Sequence, residues 1–517
     1  MISDEQRRVL ELIGEHKNVF LTGGGGVGKS FIINVLVNAQ REQGRVVAVC
    51  ASTGVAADHI GGVTLHSLLG LGLASEPLDE LIQMAHSKRG LRAKWMHIDL
   101  LVIDEISMLD PVFFVKVDLV LRALRHCDAP FGGVQLLLAG DFFQLPPVTP
   151  RVAVTSTSNT SPSQKRKNGF QSSSSVTNSR ASTSGSSLSS AGVVHTFCFE
   201  TPSWNEAVDA IVELKYSFRQ SGDNVLGELL NRARVGECTL EDIELLADRV
   251  DAPFTNARFE GIEPTRMHSR RTNVDSINEE KLLGLGDGVH TELYNAQVTY
   301  NVLSSKRKIV GDVECESSES SGNQKSKSEK LKELQRVGAV LQQFNNTAAK
   351  SELQLRIGAQ VMLLCNMDVE NGLVNGSRGV VTEFRDLDGI MNPVVRFSKT
   401  GTEIVINGYK WEYKIEGAGS VFYTQIPLQL AWAITIHKAQ GLSLDCVEMA
   451  LDNSVFERGQ AYVALSRVTS LEGLRLISFK PGVILAHPLV KQFYANINKA
   501  ENERHALINV DVEVEIK

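Results

Sequence analysis

A lysine and a hydroxyl stand directly behind a glycine run in VFLTGGGGVGKSFII, residues 19–33. The spacing, G-x-x-x-x-G-K-S from Gly23 to Ser30, suits the grip of a polyphosphate such as that of ATP. Gly23, Gly24, Gly25, Gly26 and Gly28 leave room for consecutive backbone N–H groups, with that of Val27, to curl around phosphate oxygens. Lys29 would reach the β- and γ-phosphates, and the Ser30 hydroxyl would ligate Mg²⁺. Val27 stands where many such loops carry threonine; that position contributes its N–H, so the change is tolerable.

A second group of acids and amides fits the same chemistry. LLVIDEISMLD, residues 100–110, delivers Asp104 and Glu105 at the end of an apolar run. Acids there are costly without a cation. Asp104 would hold Mg²⁺, directly or through water, and Glu105 would polarise the water that attacks the γ-phosphate. VQLLLAGDFFQLPPV, residues 134–148, ends a further buried run in Gly140 and Asp141, with Gln144 placed to sense the γ-phosphate. Arg219 in VELKYSFRQ and Arg467 in GQAYVALSRV are candidate transition-state arginines. Both lie far downstream of the phosphate loop in sequence, which points to a cleft closed from the side opposite that loop. An isolated arginine on a helix is more commonly a surface charge. Gln6 is either an adenine-reading amide or an exposed helix residue. Ser52 and Thr53 end the apolar run RVVAVCA, where they would either hold nucleic-acid phosphates or cap the helix VAADHI.

Stepping outward, these residues need elements to hold them. VFLT, VVAVCA, LLVID and VQLLLA read as buried strands of an open parallel sheet, each followed by a helical pattern. DEQRRVLELI, residues 4–13, is an amphipathic helix before the first strand. Residues 351–424 change pattern: short alternating strands such as RIGAQVMLL, GVVTEF, VVRF and EIVI are separated by Asn-Gly turns, as in a small antiparallel barrel. Residues 69–97 form an insertion with Lys88, Arg89, Arg92 and Lys94 followed by Trp95. That is either a strand-separating element that touches single-stranded DNA or a solvated helix with a buried tryptophan. Two tracts cannot bury a core: the Ser-rich segment 151–192, with the basic cluster Lys165-Arg166-Lys167, and the polar segment 304–330.

With 517 residues the prior is about three domains. No apolar run approaches the ~18 residues of a membrane span. The opening MISDEQ lacks signal-peptide and transit-peptide patterns. Seven scattered cysteines without a C-x-x-C argue for reduced thiols rather than a disulfide frame or a zinc site. A net charge of −7 does not advertise a nucleic-acid binder, although a local basic groove can serve under an acidic total.

GGGGVGKS, ASTGVAA, TLHS at 64–67, LLVIDEISMLD, PFGGVQLLLAGDFFQLPPV, YSFRQ, LVNGSRGVV, ITIHKAQGLSLD and GQAYVALSRV follow one another in the order of a known set. Nearly the whole chain resembles the Pif (petite integration frequency) family of DNA helicases, superfamily one group B. The resemblance implies an α/β protein with two RecA-like P-loop motor domains. The first would take residues 1–68 and 98–210, and the second 211–350 and 425–500. A wedge at 69–97, an inserted β-barrel at 351–424 and a tail at 501–517 complete it. It implies ATP and Mg²⁺ as cofactors, 5′-to-3′ translocation on single-stranded DNA, and unwinding of 5′-tailed duplexes by a monomer in the nucleus, with the mitochondrion as the alternative address. Gln6, Lys29, Ser30, Asp104, Glu105, Gln144, Arg219 and Arg467, with Gly441, resemble that family's ATPase set. Ser52, Thr53, His66, His437, Lys438, Gln460, Tyr462 and Ser466 resemble its DNA-facing residues. The Ser-rich tract is foreign to the usual core. A DNA-binding scaffold with a dead motor, or a translocase or RNA helicase that leaves DNA duplexes intact, are the rival functions; the intact Lys29, Asp104, Glu105 and arginines oppose the first.

Overall fold

The computed structural model describes residues 2–147, 196–302 and 349–499, apart from 72–73, 75, 221, 255–262, 287, 369–372, 374, 388, 399 and 416–418, together with parts of 328–337. The Ser-rich tract 151–192 with its Lys165–Lys167 cluster, the polar tract 304–330 save for 328 and 330, and the tail 501–517 lie outside the described residues.

Six strands build the first half: β1 (Val19–Gly23), β2 (Val47–Ala51), β3 (Val63–Thr64), β4 (Leu100–Asp104), β5 (Gln135–Ala139) and β6 (Ala210–Leu214). Their order is β3-β2-β4-β5-β1-β6, and every pairing is parallel. The continuous apolar runs arise because both faces are covered. Phe20, Leu101, Ile103, Leu136 and Leu138 face one core, while Val19, Leu21, Leu100, Val102 and Leu137 face the other. A six-strand parallel sheet puts all its strand ends on one edge, so the loops after β1, β4 and β5 share one crevice.

β7 (Thr265–His268) opens the second half. The chain then runs through antiparallel strands β8 (Thr291–Asn295), β9 (Gln297–Val302), β10 (Glu352–Arg356), β11 (Gln360–Leu363), β12 (Arg378–Leu387), β13 (Ile390–Phe397), β14 (Glu403–Val405), β15 (Tyr409–Ile415), β16 (Gly419–Gln425) and β17 (Leu428–Leu430). It returns as β18 (Ala433–Thr435), β19 (Val447–Leu451) and β20 (Leu474–Phe479). The second parallel sheet has the order β18-β7-β19-β20. Among the described residues no helix is long and apolar enough to cross a membrane.

Several boundaries differ from the sequence-based ones. β6 pairs with β1 from Val19↔Ala210 to Gly23↔Leu214, so the first half runs past residue 210. The antiparallel region is wider than 351–424. It recruits β8, β9 and β17, and its strands form sheets of five (β14-β13-β12-β11-β17), three (β15-β16-β9) and two (β10-β8). β8 and β9 lack the apolar density that marks a strand, since their faces are half-exposed. The C-terminal helix 488–499 returns to the first half: Val490 and Tyr494 are buried in its core and Phe493 stacks on Phe199 at 4.3 Å. In the 69–97 insertion, helices Leu78–Ser87 and Arg89–His97 pack on helix Pro111–Arg125. Trp95 is fully buried there, which removes it as a base-stacking surface. Arg92 and Lys94 remain exposed.

Candidate nucleotide site and nucleic-acid surface

The phosphate loop lies between β1 and helix Lys29–Glu42, at the crevice edge. Val27 turns into the core, so a β-branched residue there leaves the loop amides untouched. Glycine is required at Gly26 and Gly28, with φ of 82° and 87°. A Cβ on Gly26 would meet the Arg219 side chain at 2.5 Å, and one on Gly28 would meet Gln6 Nε2 at 2.9 Å. Lys29 Nζ donates to the Gly23 and Gly24 carbonyls at 2.7 and 2.9 Å. Burial pushes the Lys29 pKa down, opposed by Asp141, Glu105 and Asp104. Gln6 is buried rather than exposed. Its Oε1 accepts from Ser3 N–H in a capping box, and this fixes the side chain beside Gly28.

Asp104 and Glu105 leave β4 as expected. Burial, then the neighbouring Glu105 charge, pushes the Asp104 pKa up. Two adjacent carboxyls at the end of β4 are hard oxygen donors of the kind Mg²⁺ takes, and Ser30 at the helix start is exposed. Glu105 sits at φ 51°, ψ 45°, in the left-handed region that costs a non-glycine residue about 1–2 kcal/mol. Ser52 helps hold it there, since its hydroxyl donates to the Glu105 carbonyl at 2.8 Å. Thr53 Oγ1 accepts from Ala56 N–H, the helix-cap alternative.

The two arginines converge on the loop. Both guanidinium groups lie over Gly25: a Cβ placed there would be 3.2 Å from Arg467 Nη2 and 3.3 Å from Arg219 Nη1. Arg467 is 2% exposed, not a surface charge. It is held by the Val463 carbonyl and Ser466 Oγ at 2.9 and 2.7 Å. Arg219 donates to Ser443 Oγ and the Ser466 carbonyl at 2.8 and 3.0 Å. Among the described residues neither has a carboxylate within ion-pair distance. Burial and the Arg467 charge push the Arg219 pKa down to about 9, and burial lowers that of Arg467. Two desolvated cations facing an amide-rich loop leave the pocket short of negative charge, and a polyphosphate would supply it.

Of three residues expected to face DNA, Tyr462 and Ser466 lie in this cleft instead, and Gln460 is buried against its own chain. All six residues of helix Gln460–Leu465 are buried, so it has no outward face. Tyr462 Oη accepts from Gly25 N–H at 2.9 Å. Gln460 Oε1 accepts from Phe456 and Glu457 N–H. The Ser466 hydroxyl donates to the Val463 carbonyl and supports Arg467. Gln144 is buried, its Oε1 has no partner among the described residues, and its backbone abuts Gly459. Two further residues, absent from the sequence-derived set, touch the site's acids. Gln440 Nε2 donates to Glu105 Oε2 at 2.9 Å, one residue before the exposed Gly441. Arg234 binds Asp141. HKAQG marks Gln440 beside His437, Lys438 and Gly441 without giving it a role, and nothing in the spacing of LNRARVG separates Arg234 from ordinary helix surface.

His437 and Lys438 line a separate cavity of about 500 Å³ with Arg271 and Lys350. Burial, then Arg271 and Lys350, pushes the Lys438 pKa down; Asp275 offsets this in part, through ion pairs to Arg271 and Lys350 at 3.3 and 3.2 Å. His66 lies elsewhere, stacked on Phe113 with ring centroids 3.9 Å apart, and burial lowers its pKa.

The model of the PIF1-like helicase family matches residues 1–183, and that of the DNA helicase Pif1 2B domain matches residues 343–384. The chain is 37% identical over 501 residues to the ATP-dependent DNA helicase PIF1 of Xenopus laevis, covering 96% of this chain and 65% of that protein. The crystal structure of Pif1 helicase from Candida albicans superposes with a TM-score of 0.69 at 30% identity, covering 96% of this chain and 99% of that one. That of Bacteroides sp Pif1 in complex with ADP-AlF4 gives 0.68 at 27% identity, covering 97% and 98%.

Proposed function

Because the chain belongs to the PIF1-like helicase family, we propose that it is an ATP-dependent DNA helicase that moves 5′ to 3′ on single-stranded DNA and unwinds duplexes. One observation carries this reading: Arg467 of the second half, and Arg219, which is bonded to Ser443 and Ser466 of that half, converge on Gly25 of the phosphate loop with no carboxylate within ion-pair distance among the described residues. A polyphosphate placed there would join the halves, and its loss would release them.

Each residue then has a task. The loop amides and Lys29 cradle the β- and γ-phosphates. Ser30 and Asp104 would hold Mg²⁺, which neutralises charge on the phosphate oxygens. Glu105 orients the attacking water and takes its proton. Arg219 and Arg467 stabilise the charge of the transferring phosphoryl group, a contribution worth about 10³–10⁵ in rate for an arginine finger. Gln6, with its amide nitrogen beside Gly28, donates to the adenine. Closure would shift one parallel-sheet half along the strand while the other holds, with the Arg271, Lys350 and Lys438 cavity as a backbone contact. Opening a base-pair step costs ~1.4 kcal/mol in stacking, so one nucleotide per cycle is energetically easy.

The test is unwinding of matched duplexes with a 5′ or a 3′ tail, in DNA and in RNA. ATP-dependent unwinding of the 5′-tailed DNA, lost in Lys29→Ala, is expected. Unwinding retained by Lys29→Ala, or confined to RNA, would overturn the proposal.

A further inference from the structure

One guanidinium at the centre of the seam has no role in the cycle above. Arg234 closes the last turn of helix Asn224–Val235, whose Leu226, Leu229 and Leu230 belong to the second half's core. Its side chain crosses to the first half. Nε lies 3.1 Å from both carboxylate oxygens of Asp141, Nη2 lies 3.0 Å from Oδ1, and Nη1 donates to Glu213 on β6 at 2.7 Å. Phe143 and Tyr494 rings flank it, with centroids 4.9 and 5.1 Å from the guanidinium carbon. The Asp141 side chain is 0% exposed and that of Arg234 is 11% exposed. Burial alone would lower the Arg234 pKa; Asp141 outweighs it and holds the pKa well above the usual value.

The far side of Asp141 is wired to the phosphate loop. Tyr462 Oη accepts the Gly25 N–H at 2.9 Å and lies 3.5 Å from Asp141 Oδ2. That N–H is among the amides a polyphosphate would claim. When it turns to phosphate, the Tyr462 oxygen loses its donor while its O–H still faces Asp141, so a shift of the loop reaches Arg234 through Tyr462 and Asp141. Separating a buried charge pair is strongly unfavourable. The helix carrying Arg234 therefore follows the loop rather than letting go.

We infer that Arg234 is a positioning residue of the ATPase. Through Asp141 it carries the state of the phosphate loop to the second half, so that nucleotide occupancy and closure of the seam move together. This rests on the helicase reading above and assigns a regulatory route to the same site.

The test uses the full chain with two variants. Arg234→Lys keeps the charge and loses the planar fork. The triple change Asp141→Asn, Glu213→Gln and Arg234→Met removes all three charges and strands none of them. ATP hydrolysis is measured with and without single-stranded DNA, alongside thermal melting. Both variants should melt cooperatively with ATP KM changed less than about threefold, while kcat with DNA falls about ten- to a hundredfold and DNA stimulation is lost. Folded variants with wild-type stimulation, or with KM raised and kcat kept, would overturn the inference alone. A wild-type chain lacking DNA-stimulated hydrolysis would overturn the helicase reading beneath it.

Discussion

Gln440 Nε2 donates to Glu105 Oε2 at 2.9 Å, across the seam between the two halves. Glu105 follows β4 of the first parallel sheet, and Gln440 follows β18 of the second. The carboxylate assigned to the attacking water is thus aimed by a side chain that moves with the other half. Among the described residues Gln440 Oε1 is buried without a partner, which leaves an acceptor for one more donor at that position.

Gln440→Ala should therefore lower kcat for ATP about ten- to a hundredfold, the loss that follows from about 1 Å of misplacement. KM should change little, because Gln440 makes no contact with the phosphate loop among the described hydrogen bonds. Steady-state phosphate release at saturating DNA reads both constants.

Lys438 joins Arg271 and Lys350 on one cavity. Lys438→Ala should weaken single-stranded DNA binding by a similar factor for all sequences and reduce the slope of log K against log salt by about 0.7, the loss of one phosphate contact. Fluorescence titrations at several salt concentrations check this.

Trp95 is fully buried against helix Pro111–Arg125. Trp95→Ala should cost about 3–5 kcal/mol of stability and leave the DNA affinity of the folded fraction unchanged. Denaturant melts paired with DNA titration separate the two effects. A selective loss of DNA affinity would restore the stacking role.

Much of the ATPase site was legible in the chain itself, because Lys29, Asp104 and Glu105 are local to their own strand-loop units. The arginines were legible only as candidates. Their convergence on Gly25 brings together residues 194 and 442 positions apart in sequence, and it depends on how the two parallel sheets face each other. Tyr462 was misassigned because its helix is six residues long, too short for periodicity to reveal which face is outward. Ser52 was open between two roles, and the Glu105 backbone at φ 51° decided its hydroxyl's partner. The antiparallel region was underestimated where β8 and β9 alternate only weakly, and helix 488–499 gave no sign that Tyr494 would bond Thr22 behind the phosphate loop.

The most direct measurement is DNA-stimulated ATP hydrolysis by Arg219→Ala, with KM and kcat determined separately. A nucleotide held in the seam between the halves predicts that kcat falls by about 10³–10⁵ while KM stays within an order of magnitude. A kcat equal to that of the wild-type chain would contradict it.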